Sequence, residues 1–288
     1  MDNVWPNFFI VGAAKAGTTS LYHYLSQHPD VYMSPIKEPH YFSQVKPSWK
    51  QRFLMEPVLD EGAYLKLFYG ARGKKAVGEA SPSYLWDQAA PFLIKEKVPE
   101  AKIIMLLRDP VERAFSHYLM DVRQGVVKGG FLEELKKDFE DEKKGWGISH
   151  LYVELGFYHE QIARYKECFS EDNIKIILFD DLVRSEVDFV REVAIFLGLK
   201  SDFVFSAEAK NTFSRSRFIF FKNILKVFGA KNIAKKFISE DKIRFFKEKL
   251  FFSQGERPIL DEDSVDFLRK IYDYDHNCLK RDFNISFW

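Results

Sequence analysis

A lysine inside a glycine-bounded loop, followed at once by three hydroxyl residues, is the group best placed to do chemistry in this chain. Residues Phe8 to Leu25 read FFIVGAAKAGTTSLYHYL: four residues separate Gly12 from Gly17, Lys15 lies between them, and Thr18, Thr19 and Ser20 open a helical pattern. A strand, loop and helix in this order make a phosphate cradle. The amides of Gly17, Thr18 and Thr19 at a helix N-terminus favour an anion, and Lys15 adds an ammonium group. A nucleoside triphosphatase carries lysine directly after the second glycine, where this chain has Thr18, so the magnesium geometry of that class is not expected. The plainer alternative, a structural turn, needs one capping hydroxyl and not three in a row.

A second cationic candidate stands in LLRDPVERAFSHYL, Leu106 to Leu119. Arg108 leaves an apolar run, Asp109 can cap, Pro110 suits a first helical turn, and Ser116 follows two turns on. A guanidinium at a strand's carboxyl end suits a second phosphate. The competing reading pairs Arg108 and Arg113 with Asp109 or Glu112.

Glu38 and His40 in KEPHYF are titratable groups that could act in catalysis, and Glu79 at a predicted strand end could orient Lys15 or an acceptor. A carboxyl that works as a base near neutral pH needs burial or a like charge to lift its pKa, so that role would call for a raised pKa at Glu38. Each residue has a structural alternative: Glu38 as an ion-pair partner of Lys37, His40 packed among Tyr41 and Phe42, Glu79 in a salt bridge.

The elements that must position these groups alternate strand and helix. Apolar runs of strand length occur at Phe8 to Val11, Lys75 to Val77, Ile103 to Leu107 and Ile174 to Phe179. Helical patterns follow at about Thr18 to Gln27, Asp87 to Lys97, Val111 to Arg123, Phe131 to Lys144, His150 to Phe169 and Val187 to Leu197. The expected fold is α/β, a P-loop-like three-layer arrangement with a central, mostly parallel sheet and a helical C-terminal region. Pro35 to Phe68, rich in aromatics and prolines, reads as a loop region over the strands' carboxyl ends.

With 288 residues and 46% hydrophobic content the chain can bury a large core. We expect one domain over residues 1–288, with a core over about 7–199 and a basic helical region from about 211 to 288. Two cysteines, Cys168 and Cys278, form no disulfide framework or metal spacing, and no targeting segment precedes the first strand, so a cytoplasmic location is expected. No apolar run is long enough to span a bilayer. The net charge is +1, but Arg215 to Phe252 carries 11 Lys and Arg against 3 Asp and Glu. That stretch fits core-facing helices with a solvated face, a lid for an anionic acceptor, or a peripheral lipid surface.

The chain resembles sulfotransferases that use 3′-phosphoadenosine 5′-phosphosulfate, on the side of the family containing heparan-type and many bacterial enzymes. The resemblance rests on Lys15 to Ser20, KEPHYF at Lys37 to Phe42, GEASPSYL at Gly78 to Leu85, Arg108 with Ser116, and LGFYHEQIARYKECF followed by IKIILFDDL, ending at Leu182. It covers about Asn7 to Leu199. It implies Glu38 as general base, His40 as an acceptor-side group and Lys15 as the charge on the leaving phosphate. It also implies that Lys15, Ala16, Gly17, Thr18, Thr19 and Ser20 hold the 5′-phosphosulfate, and that Arg108 and Ser116 hold the 3′-phosphate. The C-terminal glycine-rich phosphate loop of some relatives is not evident here; NTFSRSRF, Asn211 to Phe218, stands in roughly its place, where Arg215 or Arg217 would reach the 3′-phosphate or else begin the basic region. No metal is implied. The implied partner is a hydroxyl-bearing acceptor, saccharide, lipid, hydroxyacyl chain or small metabolite, and not a nucleic acid. Heparan-type members often have lysine where this chain has Ala80, which weakens the case for an anionic polysaccharide. A P-loop kinase using ATP and magnesium, drawing on Asp180 and Asp181, and an inactive nucleotide- or polymer-binding module are the rival readings.

Overall fold

The computed structural model describes residues 4–44, 57–200, 203, 205 and 258–288. Five strands, β1 (Phe8–Gly12), β2 (Val31–Met33), β3 (Ala76–Ala80), β4 (Lys102–Leu107) and β5 (Ile174–Leu178), form one sheet in the order β2-β3-β1-β4-β5. Every pairing is parallel, with Phe8 opposite both Gly78 and Lys102, and Ile103 opposite Ile174. All five residues of β1 and of β3 are buried, as parallel strands covered by helices must be. From β1 the chain turns one way to β2 and β3 and later the other way to β4 and β5. The crevice at the carboxyl ends of β3, β1 and β4 is therefore the switch point at which such sheets bind ligands.

The helices are α1 (Thr18–Leu25), α2 (Glu61–Lys66), α3 (Ser83–Trp86), α4 (Ala90–Lys97), α5 (Pro110–Gln124), α6 (Phe131–Glu140), α7 (Tyr158–Cys168), α8 (Phe179–Arg184), α9 (Glu186–Phe196) and α10 (Glu262–Phe283). A main core is built on the sheet, and a smaller one gathers Val111, Phe115, Phe131, Leu135, Leu268 and Tyr272 from α5, α6 and α10. The C-terminal helix α10 thus packs onto the helix that carries Ser116. The expected boundary near Asn211 and the basic stretch lie outside the described residues.

Several expected elements are corrected by side-chain chemistry. Strand β2 was not expected, its three residues being too short for a pattern. The region from Pro35 to Phe68 holds a helix, α2, capped by Asp60, which accepts from the Ala63 amide, and anchored by buried Tyr64 and Leu65. The helix expected from Asp87 starts at Ala90, because the Asp87 carboxylate is occupied by Ser43 Oγ and the amides of Gln44 and Ala89. The one expected from His150 to Phe169 is only α7 and a 3-10 turn at Glu154–Gly156, because the amides of His150, Leu151 and Tyr152 all donate to Asp138. Helix α6 stops at Glu140, where the Lys144 ammonium takes the Asp138 carbonyl.

Candidate active site

Two groups of side chains sit at the carboxyl edge of the sheet. The first is cationic. Lys15 follows β1 in the left-handed region, φ 69°, and its Nζ approaches the Met120 sulfur on α5 at 3.6 Å. Arg108 leaves the end of β4, lies over the Phe179 ring at 4.7 Å from its centroid, and directs Nη1 at the Lys15 carbonyl at 3.5 Å. Lys15, Arg108 and Ser116 line one cavity of about 380 Å³ together with Glu112, Met120 and Arg123. The competing reading of Arg108 also holds: Nη2 pairs with Glu112 at 3.2 Å. Three cations against one carboxylate still leave the cavity suited to an anion.

The loop geometry explains its residues. Helix α1 starts at Thr18, and its N-cap, Gly17, supplies no side-chain bond to the first-turn amides, which stay available as donors. Gly17 has φ 93°, a conformation that favours glycine, and a Cβ there would stand 2.8 Å from Leu182 Cδ2, so that side chain would have to move as well. Ala16 and Thr18 are buried beneath the loop while Thr19 and Ser20 are partly open. Asp109 caps α5 as expected, accepting from the amides of Val111 and Glu112. Among the described residues Arg113 pairs with no acid; it is buried and donates to the Tyr152 carbonyl.

The second group is acid and imidazole. Glu38 extends the edge of the sheet, its amide donating to the Ala80 carbonyl at 3.0 Å, and both Glu38 and His40 hold positive φ, 65° and 52°. The His40 ring is buried: Nδ1 lies 2.6 Å from Ser83 Oγ, Nε2 lies 3.7 Å from Glu38 Oε2, and the Trp146 ring stands 6.0 Å away. The expected raised pKa at Glu38 is overturned. Burial pushes it up, but the Lys37 ammonium, in direct contact, and the hydrogen bond and charge of His40 outweigh that and hold it well below the carboxylate range. Of the two carboxyls in this group, the one that burial does raise is Glu79, which is fully enclosed and accepts from Tyr64, Ser81 and Tyr84 at 2.6, 2.6 and 2.9 Å. No salt bridge of Glu79 occurs among the described residues. Ser81 joins the two sets, donating to Glu79 while accepting from the His40 amide at 3.2 Å.

Sequence reasoning thus picked Lys15, Arg108 and Ser116, which the fold brings together, and Glu38 with His40, which form a separate cluster. Arg215 lies outside the described residues. The reasoning missed Met120 and Arg123, which the helical period from Ser116 would have found, since residues four and seven apart share a face. It also missed Ser83, although GEASPSYL contains it, and Trp146, for which no sequence signal existed. Among the described residues no group of three His, Cys, Asp or Glu is gathered that could hold a metal ion.

The profile of the family described as "Sulfotransferase domain" matches residues 6–280. A solved sulfotransferase from Alicyclobacillus acidocaldarius is 36% identical, with a TM-score of 0.66 over 78% of this chain and 96% of that one. Carbohydrate sulfotransferase 15 of Mus musculus is 35% identical over 67% of this chain and 44% of its own length. Heparan sulfate glucosamine 3-O-sulfotransferase 6 of Mus musculus is 28% identical over 68% of this chain and 53% of its own. The chain thus spans about half the length of these curated relatives.

Proposed function

The chain belongs to the sulfotransferase domain family, and on that premise we propose that it moves a sulfuryl group from 3′-phosphoadenosine 5′-phosphosulfate to an acceptor hydroxyl. The observation that carries this reading is the single cavity in which Lys15, Arg108 and Ser116 meet beside the open helix N-terminus of α1. The donor, when bound, supplies the sulfuryl group for an in-line displacement. Lys15, with the amides from Gly17 to Ser20, neutralises charge on the leaving 5′-phosphate, while the Ala16 amide is taken by the Ala13 carbonyl at 3.2 Å. Arg108 and Ser116 hold the 3′-phosphate. Because positioning and charge stabilisation dominate such transfers, a lysine and a helix N-terminus suffice without a divalent ion.

Glu38 takes the acceptor's proton, and His40 and Lys37 fix its position and charge. Its low pKa fits a loose transition state, in which the nucleophile keeps most of its proton until late and a strong base is not required. The acceptor is a hydroxyl compound; the relatives named for carbohydrate and heparan sulfate acceptors favour a saccharide. We read the described elements as one domain acting in a reducing compartment, consistent with unpaired Cys168 and Cys278.

The test is to incubate the chain with the donor and a hydroxyl acceptor in the presence of a chelator. Acceptor-dependent formation of adenosine 3′,5′-bisphosphate supports the reading. Transfer that instead requires ATP and magnesium supports the kinase, and no transfer with either donor supports an inactive module.

A further inference from the structure

Arg108, the residue read as holding the 3′-phosphate, stands one step past the last ladder pair of β4, Leu107 opposite Leu178. Its carbonyl therefore has no strand partner. The amides of the following turn do not serve it either: Pro110 has no N–H, and those of Val111 and Glu112 go to the Asp109 side chain at 2.8 and 3.1 Å. A carbonyl so placed needs a donor from elsewhere in the fold. It receives the hydroxyl of Tyr158, the first residue of α7, at 2.9 Å. Tyr158 is fully buried, and burial raises its pKa, so the phenol keeps the proton that it donates.

Tyr158 is held in turn by the C-terminal helix. Phe157, the N-cap of α7, makes no side-chain bond to the first-turn amides. Asp275 of α10 takes that place: it is buried, and its two oxygens accept from the amides of Tyr158 and His159 at 3.1 Å each. A carboxylate there also meets the favourable end of the helix dipole. The relay thus runs from α10 through the start of α7 to the end of β4, and each link fixes a backbone group with a buried side chain.

The side-chain contacts of Arg108 are of a different kind. Its guanidinium lies over the Phe179 ring, reaches the Lys15 carbonyl only at 3.5 Å, and pairs with Glu112, whose side chain is half exposed. Exposed pairs of this sort hold weakly, and a phosphate can take their place. What fixes the direction of the guanidinium is then the backbone from which it leaves the strand. We propose that Tyr158, clamped by Asp275, is a positioning residue for the donor site: its hydroxyl sets the backbone at Arg108 and so aims the guanidinium at the 3′-phosphate. The proposal rests on the sulfotransferase reading and adds to it that the C-terminal helix supports the selection of a 3′-phosphorylated nucleotide.

The test is calorimetric titration, without magnesium, of adenosine 3′,5′-bisphosphate and adenosine 5′-monophosphate, which differ only in the 3′-phosphate. The readout is the ratio of their dissociation constants. Tyr158→Phe, which deletes one oxygen, should lower the preference for the bisphosphate by about fivefold, the order of one hydrogen bond's net effect, and leave monophosphate affinity within about twofold. Asp275→Asn keeps one acceptor and should lower the preference by about twofold, so the result does not hang on one variant's folding. Tyr165→Phe is the control for a merely structural loss. Its hydroxyl, equally buried on the same helix, donates to the Tyr84 carbonyl at 2.9 Å, so the variant should lose stability with the ratio unchanged. On an Arg108→Ala background, which itself removes the preference, Tyr158→Phe should lower it no further. An unchanged ratio in Tyr158→Phe or, should that variant not fold, in Asp275→Asn overturns the proposal. So does an equal fall in Tyr165→Phe, or a further fall on the Arg108→Ala background. A wild type without preference for the bisphosphate, or an Arg108→Ala variant that keeps it, refutes the donor-site reading and this inference with it.

Discussion

His40 Nε2 stands 3.7 Å from Glu38 Oε2, while the same carboxylate is in direct contact with the Lys37 ammonium. The acid offered as general base is therefore held charged by two neighbours, one on each oxygen. Glu38→Gln keeps the size of the side chain but removes the proton acceptor, so turnover should fall by roughly 100 to 10,000-fold while adenosine 3′,5′-bisphosphate affinity stays within about twofold. Steady-state kinetics with a nucleotide titration check this, and turnover near that of the wild type would remove Glu38 from the mechanism.

Lys37 tests the electrostatic part of the same cluster. Because its charge lowers the Glu38 pKa, Lys37→Met should raise that pKa and move the acidic limb of the kcat profile to higher pH. An unmoved limb would mean that another group titrates there.

The phosphate loop makes a conformational prediction. Gly17→Ala places a methyl group 2.8 Å from Leu182 Cδ2 at a φ of 93°, so it should destabilise the chain by about 1–3 kcal/mol and weaken nucleotide binding. Chemical denaturation and a nucleotide titration measure the two effects. Unchanged stability would show that the loop tolerates an L-residue there.

How much of this was legible beforehand depends on whether a local pattern existed. The phosphate loop, Arg108 and Ser116 could be read because their order along the chain is also their order in space: a strand end, a helix start, a helix face. The cap at Asp109 was legible for the same reason. The state of Glu38 was not, since its pKa depends on Lys37 and on a histidine whose ring is oriented by Ser83, 45 residues away from Glu38 in the chain. Likewise nothing local shows that Asp138 takes three amides from residues 150–152 and ends the helix expected there.

The underside of the donor cavity predicts a pH dependence. Burial of the His117 ring, with Arg113, Lys15 and His150 adding and Asp121 opposing, pushes its pKa down to about 3. Between that value and the ordinary 6.5 the unfolded chain binds the extra proton, so stability should fall as pH drops through this window, by at most about 1.4 kcal/mol per pH unit for one such site. His150 works in the opposite sense: its hydrogen bond with Asp121 raises its pKa, so its contribution is complete below about pH 6.5 and is lost as pH rises through the raised value. Melting temperatures of the wild type and His117→Gln between pH 7 and pH 5 should show a flatter acid side in the variant. Parallel curves would contradict the assignment.

The central claim is a donor site built for adenosine 3′,5′-bisphosphate by Lys15 and Arg108. Its most direct test is thermal stabilisation by that nucleotide, compared with ADP and ATP, without magnesium, in the wild type, Lys15→Ala and Arg108→Ala. A ligand that binds only the native state adds about 2.7 kcal/mol at a hundred times its dissociation constant, a shift that is easily read. The account predicts stabilisation by the bisphosphate well above that by ADP or ATP, and its loss in both variants. Equal stabilisation by all three nucleotides, or a bisphosphate effect that survives both substitutions, would contradict it.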